Sequence, residues 1–416
     1  MGRPSRAQPA GGALPGTGPI VAVVCRPALL VQTWWRADPA LSATPLAIAS
    51  PDGHILVACP LAGQTGVQPG QQVAQARLRC PEVRIRPADH EAALTFYERL
   101  LDALATCSPV IEAADSVAGV AYIDARGLSR LWGGIQGVGR VAVGLASDRG
   151  LRAGAGIGPT RLVALALART TPMDAEPAVL LDGAADTFLR NLSLADLAPG
   201  LTSTAARTLH ELGISTVGVL AELPRAGIAL RFGPDVLTVW HAARGLPEPP
   251  LCPWAPPARL VVTHRDEDGL EDWTILEAVL LRMVEQLAGQ LQARAQATAT
   301  LSLSLRCTDG AEHLRRTRHW PPLQATPPLI AAALELLTGS RPTSPVDLVD
   351  LQASDLGMPN TVQHGLWDDA ARDRRGERLA AILQTQARRH GRSMLRRWRP
   401  DPLSADGWSY DGVAGE

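Results

Sequence analysis

The chain has 416 residues, of which 46% are hydrophobic, and a formal net charge of −1. This composition supplies enough apolar surface for a folded core and excludes a largely disordered protein. The balanced charge also excludes the strongly basic composition that by itself would indicate nucleic-acid binding. The length suits two to four domains.

The sequence lacks the usual marks of a metal centre, a disulfide framework or a membrane protein. Its cysteines are scattered, without a C-x-x-C pair or a histidine at ligand spacing, so neither zinc nor disulfides are expected. No apolar stretch reaches the roughly 18 residues that a membrane span needs, and the Gly/Pro-rich start does not resemble a signal peptide. We therefore expect a reduced, cytoplasmic protein without a metal or cofactor. The six cysteines are Cys25, Cys59, Cys80, Cys107, Cys252 and Cys307.

The first half of the chain alternates predicted strands with predicted helices, after a flexible start at 1–18. This alternation predicts an α/β or α+β core. Apolar runs predict strands at 19–30, 45–49, 54–59, 117–124 and 151–156. Helical spacing of apolar residues predicts helices at 70–78, 91–107, 137–147 and 160–170.

The second half begins with short helices joined by Gly and Pro, followed by a proline-rich linker. Beyond the linker the predicted order is β-α-β-β-α-β, with a hairpin around the Asp309-Gly310 turn. A polar tail with one helix, 375–390, follows. The short helices are predicted at 194–197, 202–212, 216–220 and 234–243. The later elements are predicted at 259–264, 273–295, 298–307, 312–319, 326–338 and 344–351.

Several segments, in this order, resemble the Y-family (DinB/UmuC-like) translesion DNA polymerases. Each match is modest, and their collinearity over roughly residues 19–390 is what makes the resemblance specific. The segments are Arg36 to Leu41, Gly66 to Gly70, Ala121-Tyr122-Ile123-Asp124, Gly156-Ile157-Gly158-Pro159-Thr160-Arg161 and Leu212 to Leu220.

The resemblance implies an α+β fold with the right-hand architecture of that family. It implies a palm, fingers, a helical thumb with a helix-hairpin-helix, and a little finger of β-α-β-β-α-β order. The implied domains are palm 19–30 and 93–186, fingers 31–92, thumb 187–248, linker 249–257, little finger 258–354 and C-terminal tail 355–416.

Carrying the family's catalytic positions onto this chain gives no carboxylate. Two-metal phosphoryl transfer requires at least two fixed carboxylates around Mg²⁺. The metal-binding positions fall at Cys25, Pro27, Gly119 and Val120. The steric-gate pair falls at Leu29 and Leu30, and the nucleotide-binding positions fall at Pro60, Gly63 and Arg161, of which Arg161 alone keeps its charge.

Three other acidic residues lie near these positions in the sequence. Glu112 and Asp115 precede the predicted strand at 117–124, and Asp38 follows the one at 19–30. None shares the register expected of a metal ligand, so we interpret them as surface or turn acids, with Asp115 opening a turn. The sequence thus predicts a protein that is not an enzyme and resembles the polymerase-dead ImuB-type branch.

Residues outside the palm keep features of DNA and partner binding. Gln363, Leu366 and Trp367 match the clamp-binding peptide, in which a Gln bonds the pocket rim and two apolar side chains fill a groove. The thumb hairpin offers backbone N–H groups to a phosphate, and a basic strand suits sequence-independent phosphate contacts. The predicted DNA-binding residues are Gly213, Ile214, Gly218, Arg315, Arg316 and Arg318.

The resemblance therefore implies a noncatalytic protein of DNA-damage tolerance and SOS mutagenesis. Its partners would be primer–template DNA, the sliding clamp, an error-prone C-family polymerase and a RecA-like accessory protein. Two alternatives remain open at this point. One is an active translesion polymerase with relocated metal ligands, and the other is a DNA-binding module without polymerase partners.

Overall fold

The computed structural model describes residues 18–173, 175–181, 184–194, 205, 208–209, 211–244, 246, 248–340, 342–359, 398–400 and 408–410. The chain divides into two compact units, Met1–Pro359 and Asn360–Glu416. In the second unit, strand β13 (Trp398–Pro400) pairs antiparallel with β14 (Trp408–Tyr410). Across the described residues, no helix combines the length and the apolar character that a membrane span requires.

A five-stranded sheet forms the centre of the first unit, in the order β5-β6-β1-β7-β8. Alternate side chains of its strands enter two different apolar clusters. Val21 and Val23 pack with α4 and α5, whereas Ala22 and Val24 pack with α6. The sheet is thus covered on both faces. The elements are β1 (Ile20–Cys25), α4 (His90–Leu104), β5 (Ile111–Asp115), β6 (Val120–Asp124), α5 (Ile135–Asp148), β7 (Ala153–Gly158), α6 (Arg161–Thr170) and β8 (Ala178–Val179).

The apolar run at 19–30 is a strand only as far as Cys25, and Leu29 already begins a helix. Pro27 has no N–H to donate to a strand ladder, so the strand ends there. The remaining apolar residues, Leu29, Leu30 and Val31, are buried on the new helix. The prediction of one strand across 19–30 was therefore wrong in its second half.

A small sheet of order β3-β2-β4 lies within the predicted fingers range. Its strand β4 was not predicted, because its alternating Arg residues hide the apolar pattern. Asp38 caps a short 3-10 turn, Pro39–Ala43, by accepting from the Ala40 N–H. The elements are α1 (Leu29–Ala37), β2 (Leu46–Ala49), β3 (Ile55–Ala58), α2 (Pro60–Gln64), α3 (Val73–Arg79) and β4 (Arg84–Pro87).

Short helices follow, packed around the indole of Trp240, which donates to the Leu223 carbonyl oxygen at 2.9 Å. The helices are α7 (Ala184–Asn191), α8 (Val217–Glu222), α9 (Arg225–Phe232) and α10 (Pro234–Ala243). Most of the predicted helices at 194–197 and 202–212 lies outside the described residues.

The last part of the first unit has the predicted β-α-β-β-α-β order, in a sheet ordered β11-β10-β12-β9. Leu301, Leu303 and Leu305 face its two helices. Strand β12 continues past the predicted domain end at 354. The elements are β9 (Leu260–Leu270), α11 (Trp273–Ala293), β10 (Ala297–Cys307), β11 (Glu312–Leu323), α12 (Thr326–Ser340) and β12 (Val346–Gly357).

Candidate functional site

The structure brings the predicted metal positions 25, 119 and 120 together at one end of the central sheet. Cys25 is the last residue of β1, and its N–H donates to the Gly119 carbonyl oxygen at 2.9 Å. Val120 pairs with Val24 on the neighbouring strand. Gly119 has a φ of +72°, and a Cβ built there would lie 2.6 Å from the Cys25 Sγ. The thiol therefore occupies the space into which a side chain at residue 119 would project.

The groups at these positions do not fit a divalent cation. Burial raises the pKa of the Cys25 thiol to about 12, so the sulfur is a neutral thiol at physiological pH. Val120 is buried and apolar, and Gly119 has no side chain. Mg²⁺ requires oxygen ligands, mostly carboxylate. Among the residues that the structure describes, no group of three or more His, Cys, Asp or Glu is placed to hold a metal ion.

The turn after Cys25 is fixed by a buried glutamine that the sequence did not reveal. The Gln32 side-chain amide donates to the Pro27 carbonyl oxygen at 2.8 Å and to that of Arg152 at 2.7 Å. Its oxygen accepts from the Arg152 N–H at 2.7 Å. Gln32 thus ties the end of β1 to the start of β7. A lone Gln in an apolar segment carries no pattern that would have predicted this.

Asp115 lies on the same hairpin as Gly119 and Val120, and it forms the predicted turn. Its Oδ1 accepts from the N–H groups of Val117 and Ala118 at 2.8 and 3.0 Å. The structure confirms the interpretation of Asp115 as a turn residue. In the ladder Asp115 lies opposite Val120.

Tyr97 of α4 ties the same hairpin to the helix. Its hydroxyl donates to the Val120 carbonyl oxygen at 2.5 Å and accepts from the Ala114 N–H at 2.8 Å. Burial raises the pKa of Tyr97, so its hydroxyl keeps its proton. The sequence placed Tyr97 on a helix and gave no signal for this contact.

Arg161, at the start of α6, is held by two carboxylates. Its Nε and Nη2 donate to both oxygens of Glu112, at 2.9 and 2.8 Å. Its Nη1 lies 3.4 Å from the Glu248 Oε2. Burial alone would raise the pKa of Glu112, but the hydrogen bonds and charge of Arg161 and the Cys252 N–H hold that pKa below its usual range. Arg161, which the resemblance places at a nucleotide-binding position, therefore binds carboxylates of the protein in this structure.

The other carried-over positions are divided between surface and core. Pro60 and Gly63 lie exposed on α2. Leu29 and Leu30 are fully buried in the core. The structure thus separates the predicted steric-gate pair from solvent and leaves the uncharged Pro60 and Gly63 exposed.

The predicted thumb hairpin has the geometry of a tight helix connection. Gly213 has a φ of +74°, a backbone conformation that favours glycine. A Cβ on Gly218 would lie 2.7 Å from the Arg190 carbonyl oxygen, so this glycine permits α8 to approach α7. Ile214 is buried among the thumb helices. The DNA-contact prediction for these residues stays a prediction, restricted to their backbone groups.

The basic residues of β11 are in three different environments. Arg316 has only 8% of its side chain exposed and lies 3.1 Å from Glu98 of α4. Arg315 pairs with Asp89 at 2.7 Å. Arg318 is exposed. The DNA-contact prediction stays a prediction for all three, and Arg316 would have to leave Glu98 to fulfil it. The clamp motif Gln363, Leu366 and Trp367 lies outside the described residues.

Two segments of the chain match models of one family. Residues 28–169 match the impB/mucB/samB family, and residues 265–366 match the impB/mucB/samB family C-terminal domain. The chain belongs to this family. The prediction of a Y-family, DinB/UmuC-like chain is confirmed, as are its α+β class and right-hand architecture. Its domain boundaries stay predictions.

Individual proteins resemble the chain more distantly. A DNA polymerase IV of Dehalococcoides mccartyi is 25% identical over 292 residues, which cover 69% of this chain and 73% of that protein. A DNA polymerase IV of Yersinia pseudotuberculosis is 26% identical over 263 residues, covering 62% and 72%. The crystal structure of DinB from Sulfolobus solfataricus has a TM-score of 0.46 and 16% identity, covering 82% of this chain and all of that one.

These relatives correct one prediction. They are named as DNA polymerases, which contradicts the prediction that this chain is not an enzyme. That prediction relied on the four carried-over metal-binding positions, 25, 27, 119 and 120, whereas the similarity extends over more than 60% of the chain. The ImuB-type branch and the clamp and polymerase partners are not confirmed by the comparisons.

Proposed function

We propose that this protein acts on primer–template DNA in DNA-damage tolerance, as a translesion DNA polymerase of the Y family. The observation that carries the proposal is the presence in one chain, in order, of the family's two matched segments. The relatives named DNA polymerase IV support the same activity. The activity would be DNA-directed nucleotidyl transfer on a sequence-independent substrate.

Cys25, Gly119 and Val120 supply no carboxylate for the metal ions that the proposed reaction requires. Oxygen ligands from other positions would have to serve in their place. Asp115 is an acidic side chain on the same hairpin, opposite Val120. It is therefore the first residue to vary when the proposed activity is tested.

The deciding experiment is primer extension by the purified full chain, on undamaged and lesion-bearing templates, with Mg²⁺ or Mn²⁺. The proposal expects nucleotide addition that Asp115→Asn reduces at least tenfold. Asn keeps an oxygen that can accept the turn hydrogen bonds, so the variant removes charge with little change of fold. Asp124→Asn, on the next strand and paired with Arg126, is the matched control and should leave the rate unchanged. Tight DNA binding without any nucleotide addition would refute the polymerase proposal.

A second proposed function, recruitment, is favoured by the Gln363-x-x-Leu366-Trp367 motif. We propose that this peptide binds the sliding clamp and brings the chain to primer ends. An error-prone C-family polymerase and a RecA-like accessory protein are the proposed further partners. Several weak contacts on one chain would raise the effective concentration at the primer end. Pull-down of the clamp by the full chain tests this function independently of nucleotide addition.

A further inference from the structure

The segment between the thumb helices and the C-terminal sheet is fixed along the edge of the central sheet. Glu112 of the edge strand β5 accepts from the Cys252 N–H at 2.6 Å. The Ile111 carbonyl oxygen accepts from the Trp254 N–H at 2.7 Å. Prolines at 249, 250 and 253 keep this segment extended. It therefore continues the edge of the sheet instead of crossing solvent.

Arg161 closes this contact from the other side. In addition to Glu112 and Glu248, its guanidinium donates to the carbonyl oxygens of Pro249 and Pro250, at 2.8 and 3.0 Å. Its backbone N–H donates to the Glu248 Oε2 at 3.0 Å. One side chain, with 17% of its surface exposed, thus binds both the sheet and three consecutive residues, 248–250, at the start of the linker. A planar guanidinium with five donors suits this arrangement, and a lysine does not.

A second, separate contact holds the C-terminal sheet against α1 and α4. Glu312 of β11 is buried, and its carboxylate accepts from Arg36 at 2.6 Å, from Ser304 at 2.7 Å and from Arg99. Leu314, two residues on, is buried in the core cluster of the palm and fingers. Arg259, just after the linker, pairs with Asp102 of α4.

We propose that the C-terminal sheet domain stays fixed on the palm, both free and on DNA, and that Arg161 and Glu112 are the positioning residues that fix its linker. In this proposal Arg161 holds the linker in place and does not bind a nucleotide. The proposal rests on the proposed DNA-binding function for its effect on affinity. Because the two domains are already fixed relative to each other in the free protein, DNA binding does not have to include the entropic cost of ordering a mobile domain.

Hydrogen exchange of the full chain, with and without a primer–template duplex, tests the docking directly. The reporters are the amides of Cys252 and Trp254, which the contact with β5 should protect in both states. Arg161→Ala and Glu112→Gln should each speed their exchange at least tenfold. Arg161→Lys keeps the positive charge but loses the several planar donors of the guanidinium, so its reporter amides should be protected more than those of Arg161→Ala and less than those of the parent chain. Arg126→Ala removes an exposed palm arginine paired with Asp124 and is the matched control.

Fluorescence anisotropy with the same duplex measures the consequence for DNA. Arg161→Ala and Glu112→Gln should each bind the duplex at least threefold more weakly than the parent chain. Arg126→Ala should bind it with the affinity of the parent chain. Unprotected reporter amides in the parent chain, or their loss of protection on DNA, would overturn the proposal. So would variants that release the linker with no change in affinity. If the parent chain binds no DNA while its amides are protected, the fixed docking stands and the proposed function fails.

Discussion

The backbone of Gly119 lies against the side chain of Cys25, with the Cys25 N–H bonded to the Gly119 carbonyl oxygen at 2.9 Å. A Cβ at residue 119 would come 2.6 Å from the Sγ and 3.1 Å from the Leu29 Cβ. Any side chain at residue 119 would therefore collide with the Cys25 side chain in its present position.

Gly119→Ala should therefore destabilise the protein by about 3 kcal/mol, since it combines a left-handed backbone with a steric clash. Gly127 has nearly the same φ, +74°, but nothing lies within 4 Å of a Cβ built there. Gly127→Ala should cost only about 1 kcal/mol, from the backbone alone. Urea unfolding of both variants measures the difference. Equal losses of stability in the two variants would show that the Cys25 side chain moves away from residue 119 without an energetic cost.

The Cys25 thiol should be unreactive in the folded protein. Its pKa of about 12 leaves almost no thiolate at pH 8, and the side chain is buried. Cys252 is exposed and should react first with iodoacetamide. Mass spectrometry of the alkylated peptides compares the two rates, and we expect Cys25 to be slower by at least a hundredfold. Comparable rates would mean that this end of the sheet opens readily.

Glu312→Gln should destabilise the protein by about 3 kcal/mol at neutral pH, because it leaves two partly buried arginines, Arg36 and Arg99, without their buried carboxylate partner. Burial would raise the pKa of Glu312, but the charges of Arg99 and Arg36 hold it below the usual range. The stabilisation is thus complete above the unfolded-state pKa of about 4.3 and is lost as pH falls through the folded value.

Urea unfolding at pH 7 and pH 3 tests the sign of this effect. The difference between Glu312→Gln and the parent chain should shrink at the lower pH. A difference that stays constant would mean that Glu312 titrates alike in the folded and unfolded states.

Arg318→Ala and Arg316→Ala should differ in their effect on DNA binding. Arg318 is exposed, so its loss should weaken binding and lower the slope of log Kd against log salt by about 1. Arg316 is paired with Glu98, so its loss should lower stability and leave the salt slope unchanged. Anisotropy titrations at several salt concentrations separate the two. Identical slopes for both variants would contradict this assignment.

Leu366→Ala combined with Trp367→Ala should abolish clamp binding while leaving the melting temperature unchanged. The two side chains would fill the apolar groove of the clamp, where truncation of an anchor costs more than about 2 kcal/mol. His364→Ala changes a spacer residue and serves as the control. Surface plasmon resonance with immobilised clamp gives the affinities. Unchanged affinity in the double variant would refute the motif.

The sequence determined a large part of this fold, because local patterns carry it. The β-α-β-β-α-β order follows from apolar periodicity and the Asp309-Gly310 turn, both of which are local. Collinear motifs also identified the family. The prediction of activity was wrong, because it gave four metal-binding positions more weight than a similarity that extends along most of the chain.

Tertiary structure alone decided which side chains meet. The contacts of Arg161 with Glu112 and Glu248 join residues 49 and 87 positions apart. Those of Glu312 with Arg36 and Arg99 span 276 and 213 positions. A sequence pattern reports the periodicity of one element and contains no information on which charged residue faces another across a domain boundary. For that reason the sequence predicted only a proline-rich linker, and the packed molecule revealed the path that this linker takes along the sheet.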